Sequence, residues 1–344
     1  MANSKIVVVG TSAGGLDALK GLVAQLPKDF PAPIFVVQHL SPDSTTEALL
    51  RAISRSGNLV CQEARDGAPF QNGHVYLAPP DHHLLITRGK MMVTKGAREN
   101  RSRPGIDPLF RSAAVAYRSR VIGVILTGYL DDGTAGMSAI QRCGGVCVVQ
   151  EPQDAVVPDM PMNVLRQVAT EHVVPLAEMG ALLVKLVAQP HHGEEKPVPE
   201  DIAIEAKVAE RVLSDLASVN AVGDQVPFNC PGCGGVLWEI AKGKSLRYRC
   251  HTGHAYTSAV LLAEQTAKIE ETLWVALRMF EERRNLLGTM SDRKSSAYVS
   301  SAAERVKDSE LHIKRIRAML NGGDSPKPAV QPAREHRTHA GRVG

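Results

Sequence analysis

Three groups of residues in this 344-residue chain have the types and spacing to do chemistry. The first is Gly10-Thr11-Ser12-Ala13-Gly14-Gly15, which follows the apolar run KIVVV (5–9) and opens a helical pattern. On such a turn a serine projects its hydroxyl from the carboxyl end of a strand, and the glycines let the backbone bend and another group approach. Backbone N–H groups at the start of the next helix point to the same place and can stabilise a developing oxyanion. The turn alone leaves three readings open: a nucleophile, an anion cradle, or a structural turn. A nucleotide fingerprint is excluded, because Ser12 stands where G-x-G-x-x-G needs its second glycine and no P-loop lysine follows.

The second group is His39, which ends the run PIFVVQ (33–38), together with Asp131-Asp132-Gly133, which follows VIGVILT (121–127) after a three-residue extension. The carboxyl ends of parallel strands in an open sheet face one crevice, so Ser12, His39 and one of the two aspartates are expected to converge there. A hydroxyl, a base and a carboxylate are what acyl transfer needs. The order Ser, His, Asp differs from that of α/β-hydrolases, so the G-x-S-x-G pattern does not imply that fold.

The third group is Cys230-x-x-Cys233 followed by Cys250-x-x-x-His254. Two ligand pairs at this spacing predict a closed, structural zinc site with all four positions filled by protein. His251 competes as a ligand, but His254, after Thr252-Gly253, has the better reach. Cys61, Cys143 and Cys147 lie in or beside apolar segments and read as buried thiols.

Short β-rich runs alternate with helical patterns from Lys5 to about Val174, which predicts an α/β fold with a doubly wound, mostly parallel sheet and flanking helices. Helices are expected over 16–26, 44–54 (capped by Ser41 or Asp43), 106–118, 134–142, 161–169 and 177–189. The runs at 74–79, 84–87 and 91–94 read as a small antiparallel insertion. A proline- and charge-rich stretch from 190, including His191 and His192, marks a linker, taken to extend over 191–225. A zinc-ribbon-like module (226–257), a helical hairpin (258–320) and a disordered tail (321–344) follow the catalytic unit at 1–190. The hairpin rests on apolar residues at helical steps: Leu262, Ile269, Leu273, Leu277, Phe280, then Val299, Val306, Ile313, Ile316, Leu320.

Charge excludes little, since 40 basic against 36 acidic residues leave a net +4. An apolar fraction of 44% is that of a globular protein. No apolar run reaches a membrane-span length of about 18 residues, and no signal peptide is apparent, so a cytoplasmic location without membrane insertion is expected. Lys242, Lys244, Arg247 and Arg249, interleaved with Tyr248, form a basic stretch too short to favour nucleic acid as the partner.

The blocks VVGTSAGG, VVQHLSP, RPGIDPLF (103–110), VILTGYLDDGTAGM (124–137) and QEPQDAVVPDMP (150–161), in this order, resemble the CheB-type protein-glutamate methylesterases over about residues 5–190. The resemblance implies a Ser12, His39 and Asp132 triad. Asp132 is preferred because it precedes Gly133 as the family's catalytic aspartate precedes its glycine, while Asp131 stands where Asn is common. It implies hydrolysis of glutamate methyl esters on cytoplasmic helices of chemoreceptors in chemotaxis-type signalling, with no cofactor. Some members also deamidate receptor glutamines. Arg101 and Arg103 fall in the family's active-site rim, where they would guide an acidic helix. Ala13 replaces a frequent Thr beside the nucleophile, and Tyr129 replaces a common Met near the oxyanion region, where its bulk would narrow access. No receiver domain precedes Lys5, so control by aspartyl phosphorylation within the chain is not expected. These departures keep an alternative open, in which a catalytically weak module recognises a protein partner through its C-terminal extension.

Overall fold

The computed structural model describes residues 5–41, 43–170, 172–190, 197–210, 216–240, 246–292 and 299–322. His191, His192, Lys242, Lys244 and the expected tail beyond 322 lie outside the described residues. Two compact units divide the chain, Met1–Glu264 and Gln265–Gly344.

The first unit opens with β1 (Ile6–Thr11), α1 (Gly15–Ala24), β2 (Ile34–Gln38), α2 (Thr46–Ser54), β3 (Val60–Glu63) and β4 (His74–Leu77). A hairpin of β5 (His83–Thr87) and β6 (Lys90–Thr94) precedes α3 (Ile106–Tyr117). Then follow β7 (Val121–Ile125), α4 (Thr134–Arg142), β8 (Val146–Gln150), α5 (Asp159–Gln167), β9 (His172–Val174) and α6 (Leu176–Ala188). Seven strands make one parallel sheet in the order β3-β4-β2-β1-β7-β8-β9. The strand order reverses beside β1, between β2 and β7, and that is where an open α/β sheet opens a crevice. β1, β2 and β7 are buried along their whole length, as continuous Val/Ile runs require when helices cover both faces.

Three expectations change here. The run at 74–79 is not part of an antiparallel insertion, because β4 pairs in parallel with both β2 and β3; only β5 and β6 form the antiparallel pair. Its burial explains this, since Val75, Tyr76 and Leu77 alternate between the two cores that sandwich the sheet. The stretch 191–225, expected as a linker, contains helices α7 (Glu200–Glu210) and α8 (Leu216–Asn220). α7 is built into the fold: Ile202 joins the core under α3, and Asp201 takes a bidentate bond from Arg142 at 2.8 and 2.8 Å. Helix α2 is preceded by Thr45, which makes no side-chain cap, rather than being capped by Ser41 or Asp43.

The cysteine-rich segment forms a four-stranded antiparallel sheet of β10 (Asp224–Asn229), β11 (Val236–Ile240), β12 (Arg247–Cys250) and β13 (Ala255–Thr257). Its small core is Leu237, Tyr248, Tyr256, Val260 and Leu261 with Cys230 and Cys250. The compact unit runs on through this sheet to Glu264 instead of ending near 190. Helix α9 (Ser258–Asp292) begins in the first unit and continues into the second, where α10 (Val299–Asn321) packs on it. Leu277, Ile313 and Ile316 form that contact, joined by Leu273, Phe280 and Leu320, whereas Leu262 and Ile269 are exposed. Among the described residues, no helix is long and apolar enough to cross a membrane.

Candidate functional site

Ser12 follows the last residue of β1, and His39 follows the last residue of the adjacent β2. The register that aligns Thr11 with Gln38 delivers both to the same edge of the sheet. Backbone and side-chain bonds lock that edge: His39 N–H donates to Thr11 O (3.1 Å), and Gln38 Nε2 donates to the carbonyl of Ser12 (2.8 Å). On the other side of β1, Ser12 N–H donates to Thr127 O (3.0 Å), and Thr127 Oγ1 donates to Ala13 O (2.9 Å). A side chain at Gly128 would fall 2.8 Å from Ser12 Cβ, so only glycine lets this backbone approach the serine.

The structure brings Asp132, not Asp131, to His39. His39 Nε2–H donates to Asp132 Oδ2 at 2.8 Å, with the imidazole 18% exposed and the carboxylate 3%. A neutral imidazole carries one N–H and one lone pair, so this bond leaves Nδ1 as the acceptor. The N-terminus of α3 completes the cradle. Ile106 N–H donates to Oδ2 (2.8 Å), and Gly133 N–H and Asn100 Nδ2 donate to Oδ1 (3.0 and 3.2 Å). Ile106 gets that close because Gly10 and Gly133 flank it without side chains; a Cβ at either would fall within 3 Å of its Cγ2. Burial alone would raise the Asp132 carboxyl, but the hydrogen bond and charge of His39 and the Ile106 N–H outweigh it and hold it below the ordinary range. Asp107, the second residue of α3, goes the other way: burial and the Asp132 charge push it up to about 7.

Of the predicted rim residues, Tyr129 is 61% exposed at the edge and Ala13 is half-buried in the turn. The Arg103 guanidinium is held within the fold, bonding Asp81 Oδ1 twice (2.9 and 2.6 Å) and Gly96 O (2.7 Å). Arg101 is half-exposed and pairs with Glu264 at 2.6 Å. Both line a small pocket with His39 and Arg98. The same three arginines also line a cavity of about 590 Å³ whose far wall is Gly232, His254, Tyr256 and Glu264. The cysteine-rich module therefore walls a cavity that shares these three arginines with the pocket at His39.

Cys230, Cys233, Cys250 and His254 bring their ligand atoms within 4.8 Å of one another. Cys233 Sγ and Cys250 Sγ are 3.7 Å apart, and Cys250 Sγ is 3.5 Å from His254 Nδ1. Tetrahedral zinc with Zn–S bonds of about 2.3 Å spaces its sulfurs by about 3.8 Å, so the donor set and its spacing fit that ion. Around it, Tyr256 Oη lies 3.2 Å from Cys230 Sγ, and Thr252 Oγ1 lies 2.8 Å from Cys250 Sγ. His251 is not part of the cluster.

The basic stretch beside the module has a different use. Arg249 is fully buried, donating to Glu99 Oε1 (3.0 Å) and Gly253 O (3.0 Å), and Arg247 makes a bidentate pair with Glu205 of α7 (2.9 and 2.7 Å). Arg111 of α3 closes the cluster on Glu99 (2.6 Å). Glu99, Asn100 and Glu205 escaped the sequence reading, since each is one polar residue in an unremarkable loop or helix. The helical pattern of 200–210 was the one available signal, with Glu205 among its apolar positions.

Residues 7–183 match the CheB methylesterase family. A Leptospira interrogans relative (strain Fiocruz L1-130) is 38% identical over 185 residues, 54% of this chain and 95% of that one. A Thermotoga maritima relative named protein-glutamate methylesterase/protein-glutamine glutaminase is 38% identical over 189 residues, and the match spans about half of each chain (54% and 55%). The crystal structure of the Thermotoga maritima CheB methylesterase catalytic domain superposes with a TM-score of 0.52 at 37% identity, covering 54% of this chain and 99% of that domain.

Proposed function

Because this chain belongs to the CheB methylesterase family, we propose that it hydrolyses glutamate γ-methyl esters on chemoreceptor proteins with Ser12 as nucleophile, His39 as base and Asp132 as the orienting carboxylate. The observation that carries this reading is the His39 Nε2–Asp132 Oδ2 bond of 2.8 Å at the same sheet edge as Ser12. With Nε2 committed to the carboxylate, His39 Nδ1 accepts the Ser12 proton as Oγ attacks the γ-carbonyl. The oxyanion of the tetrahedral intermediate is stabilised by backbone N–H groups where the turn opens α1. The imidazolium returns its proton to the departing methoxide, releasing methanol. Water, deprotonated by His39, then attacks the acyl-serine; the acyl C–Oγ bond breaks, the imidazolium returns that proton to Ser12 Oγ, and the freed glutamic acid ionises to its carboxylate. A γ-amide in place of the ester releases ammonia by the same steps, so glutamine deamidation lies within reach of this site. Every proton has a protein carrier, so the chemistry calls for no cofactor.

The substrate is the acidic cytoplasmic helix of a receptor, which makes the cytoplasm the working compartment. Arg98 and Arg101 present positive charge at the entrance, beside the wall that the cysteine-rich module contributes. That module is a zinc ribbon in this reading, with Cys230, Cys233, Cys250 and His254 as structural ligands. With the ion bound, four protein ligands leave no open position, so its contribution is to fold rather than to catalysis. The alternative, a module that binds a protein partner without turnover, is favoured by one observation: the cavity is walled by module and loop together.

A serine-reactive fluorophosphonate and a methanol-release assay on methylated receptor separate these. Labelling at Ser12 and methanol release, both lost in Ser12→Ala with an unchanged melting temperature, are the expected results. Retained release in Ser12→Ala removes the triad reading, and absence of both in the native protein favours the binding module.

A further inference from the structure

We propose that Asn100 is a positioning residue, holding the Asp132 carboxylate in line with His39 and coupling that carboxylate to the seat of the cysteine-rich module. This rests on the proposed role of Ser12, His39 and Asp132.

Asn100 is 6% exposed and makes contacts in two directions. Toward the crevice, Nδ2 donates to Asp132 Oδ1 at 3.2 Å and to Asp107 Oδ2 at 3.0 Å. Toward the module, its Oδ1 accepts Thr257 N–H at 3.2 Å, and its backbone N–H donates to Ala255 O at 2.9 Å. The direction of the amide is fixed by chemistry, because a backbone N–H on one side demands an oxygen and carboxylates on the other demand the NH₂. Ala255 and Thr257 bound β13, which starts directly after the cluster residue His254. The module therefore reaches Asp132 through the Asn100 side chain, while Thr257 also hydrogen-bonds the neighbouring Asp131.

The loop is bent for this. Asn100 and Arg101 both adopt left-handed backbone, with φ of 47° and 68°. Asn tolerates that region better than other non-glycine residues, whereas Arg does so at a cost. The consequence is that consecutive side chains diverge: Asn100 is buried against Asp132, and Arg101 lies out at the entrance, paired with Glu264. Glu99, just before them, is gripped by Arg111 and Arg249, so the loop cannot slide along β13 without breaking buried ion pairs. On Asp132, Oδ2 is fixed by His39 and Ile106, while the side-chain donor to Oδ1 is Asn100. Removing it leaves Oδ1 to the Gly133 and Asp107 N–H groups, the latter at 3.3 Å, and frees the carboxylate to swing out of the imidazole plane.

Two variants of the full chain test this, because they cut the two directions differently. Asn100→Gly accepts the left-handed backbone and removes all three side-chain hydrogen bonds, in both directions. Asn100→Asp is isosteric and keeps an acceptor for Thr257 N–H but can no longer donate to Asp132. A positioning role predicts that both lower the alkaline-plateau rate of Ser12 labelling by a fluorophosphonate by about 10- to 100-fold. The kcat of methanol release should fall likewise with KM unchanged. The downfield proton resonance of the His39–Asp132 bond, identified by its loss in Asp132→Asn, should shift or broaden in both. A purely structural latch predicts the reverse pattern, with Asn100→Asp at the native rate and resonance and only Asn100→Gly impaired. That outcome, or a native rate in both, overturns the proposal. If Asn100→Gly fails to fold, Asn100→Asp alone still decides it. Ser12→Ala run in parallel keeps the two ideas apart: an inert Ser12→Ala beside native-like Asn100 variants removes only the positioning role, and an active one removes the triad beneath it.

Discussion

Two buried charge clusters lie on either side of the 99–101 loop, and they are finished differently. Around Asp132, one carboxylate is met by backbone N–H groups, an asparagine and an imidazole, and that imidazole is left 18% exposed. Around Glu99 and Glu205, two carboxylates meet the guanidiniums of Arg111, Arg247 and Arg249; of these five side chains only Arg247 exceeds 3% exposure. An open end lets charge and proton move to a substrate, whereas a closed cluster has nowhere to send them. The first has the layout that the proposed turnover needs. The second joins α3, α7, β12 and the loop into one seat for the module.

The sharpest way to break that contrast is to alter one member of each cluster. Asp132→Asn keeps the shape but favours the wrong imidazole tautomer, and it should cost on the order of 10⁴-fold in kcat for methanol release with little change in melting temperature. Arg249→Leu should do the opposite. It takes one of Glu99's two guanidinium partners, leaving Arg111, and weakens the hold on Glu205 in a dry site; breaking a buried pair costs up to about 3–5 kcal/mol, read as a lower urea midpoint. Full activity in Asp132→Asn, or an unchanged urea midpoint in Arg249→Leu, would erase the distinction between the clusters.

Metal removal sharpens it from the module side. The native chain should carry about one zinc, and Cys230→Ser with Cys233→Ser none. Stripping the ion with a chelator should speed amide exchange in β11–β13 while the parallel sheet stays protected. If exchange in the module does not change, the four ligands are not holding it. Slower Ser12 labelling in the same stripped sample is expected as well, through Asn100.

The clusters also differ in how they answer to pH. Burial alone would raise Glu99 and Glu205, but the neighbouring arginine charges outweigh it and hold both below the ordinary glutamate range. Their stabilisation is full above the unfolded glutamate value and is lost only as pH falls through the depressed folded values. Asp107, raised to about 7 chiefly by burial and then by Asp132, has the opposite sign. Between the unfolded aspartate value and about 7, the native state keeps a proton that the unfolded chain has released, so stability falls as pH rises through that window. Thermal melts should peak near about pH 5, decline to about pH 7 and level off above it, and Asp107→Asn should flatten the decline. A decline that persists in that variant assigns it elsewhere.

How much of this was legible in the sequence follows from where each signal lives. Strand-end positions of Ser12, His39 and Asp132 are local and periodic, so the turn at 10–15 and the buried runs at 5–9, 33–38 and 121–127 point to one sheet edge. The cluster of Cys230, Cys233, Cys250 and His254 is equally plain, because its spacing is short. The parallel pairing of β4 was hidden, since a strand between turn residues reads the same whether its partner is near or far in sequence. α7 was hidden behind a proline- and charge-rich lead-in. The basic stretch holding Arg247 and Arg249 was weighed only as a nucleic-acid contact, and the distant Glu99 and Glu205 explain why Arg249 is buried and Arg247 is tied down. Long-range charge pairing leaves no pattern in the local sequence.

The smallest expected effect is at the entrance, where the Arg101–Glu264 pair has the same chemistry as the buried cluster but lies half in water. Arg101 is 48% exposed and Glu264 26%, so solvent screens their 2.6 Å contact. Glu264→Gln should therefore change stability by about 1 kcal/mol or less. The same substitution frees the Arg101 guanidinium for an acidic substrate and should lower KM for methylated receptor modestly, with kcat unchanged. The effect should fade as salt rises, because the added attraction is solvent-exposed. An unchanged KM at low salt would mean that Arg101 belongs to the fold, like Arg103, and that Arg98 carries the rim alone.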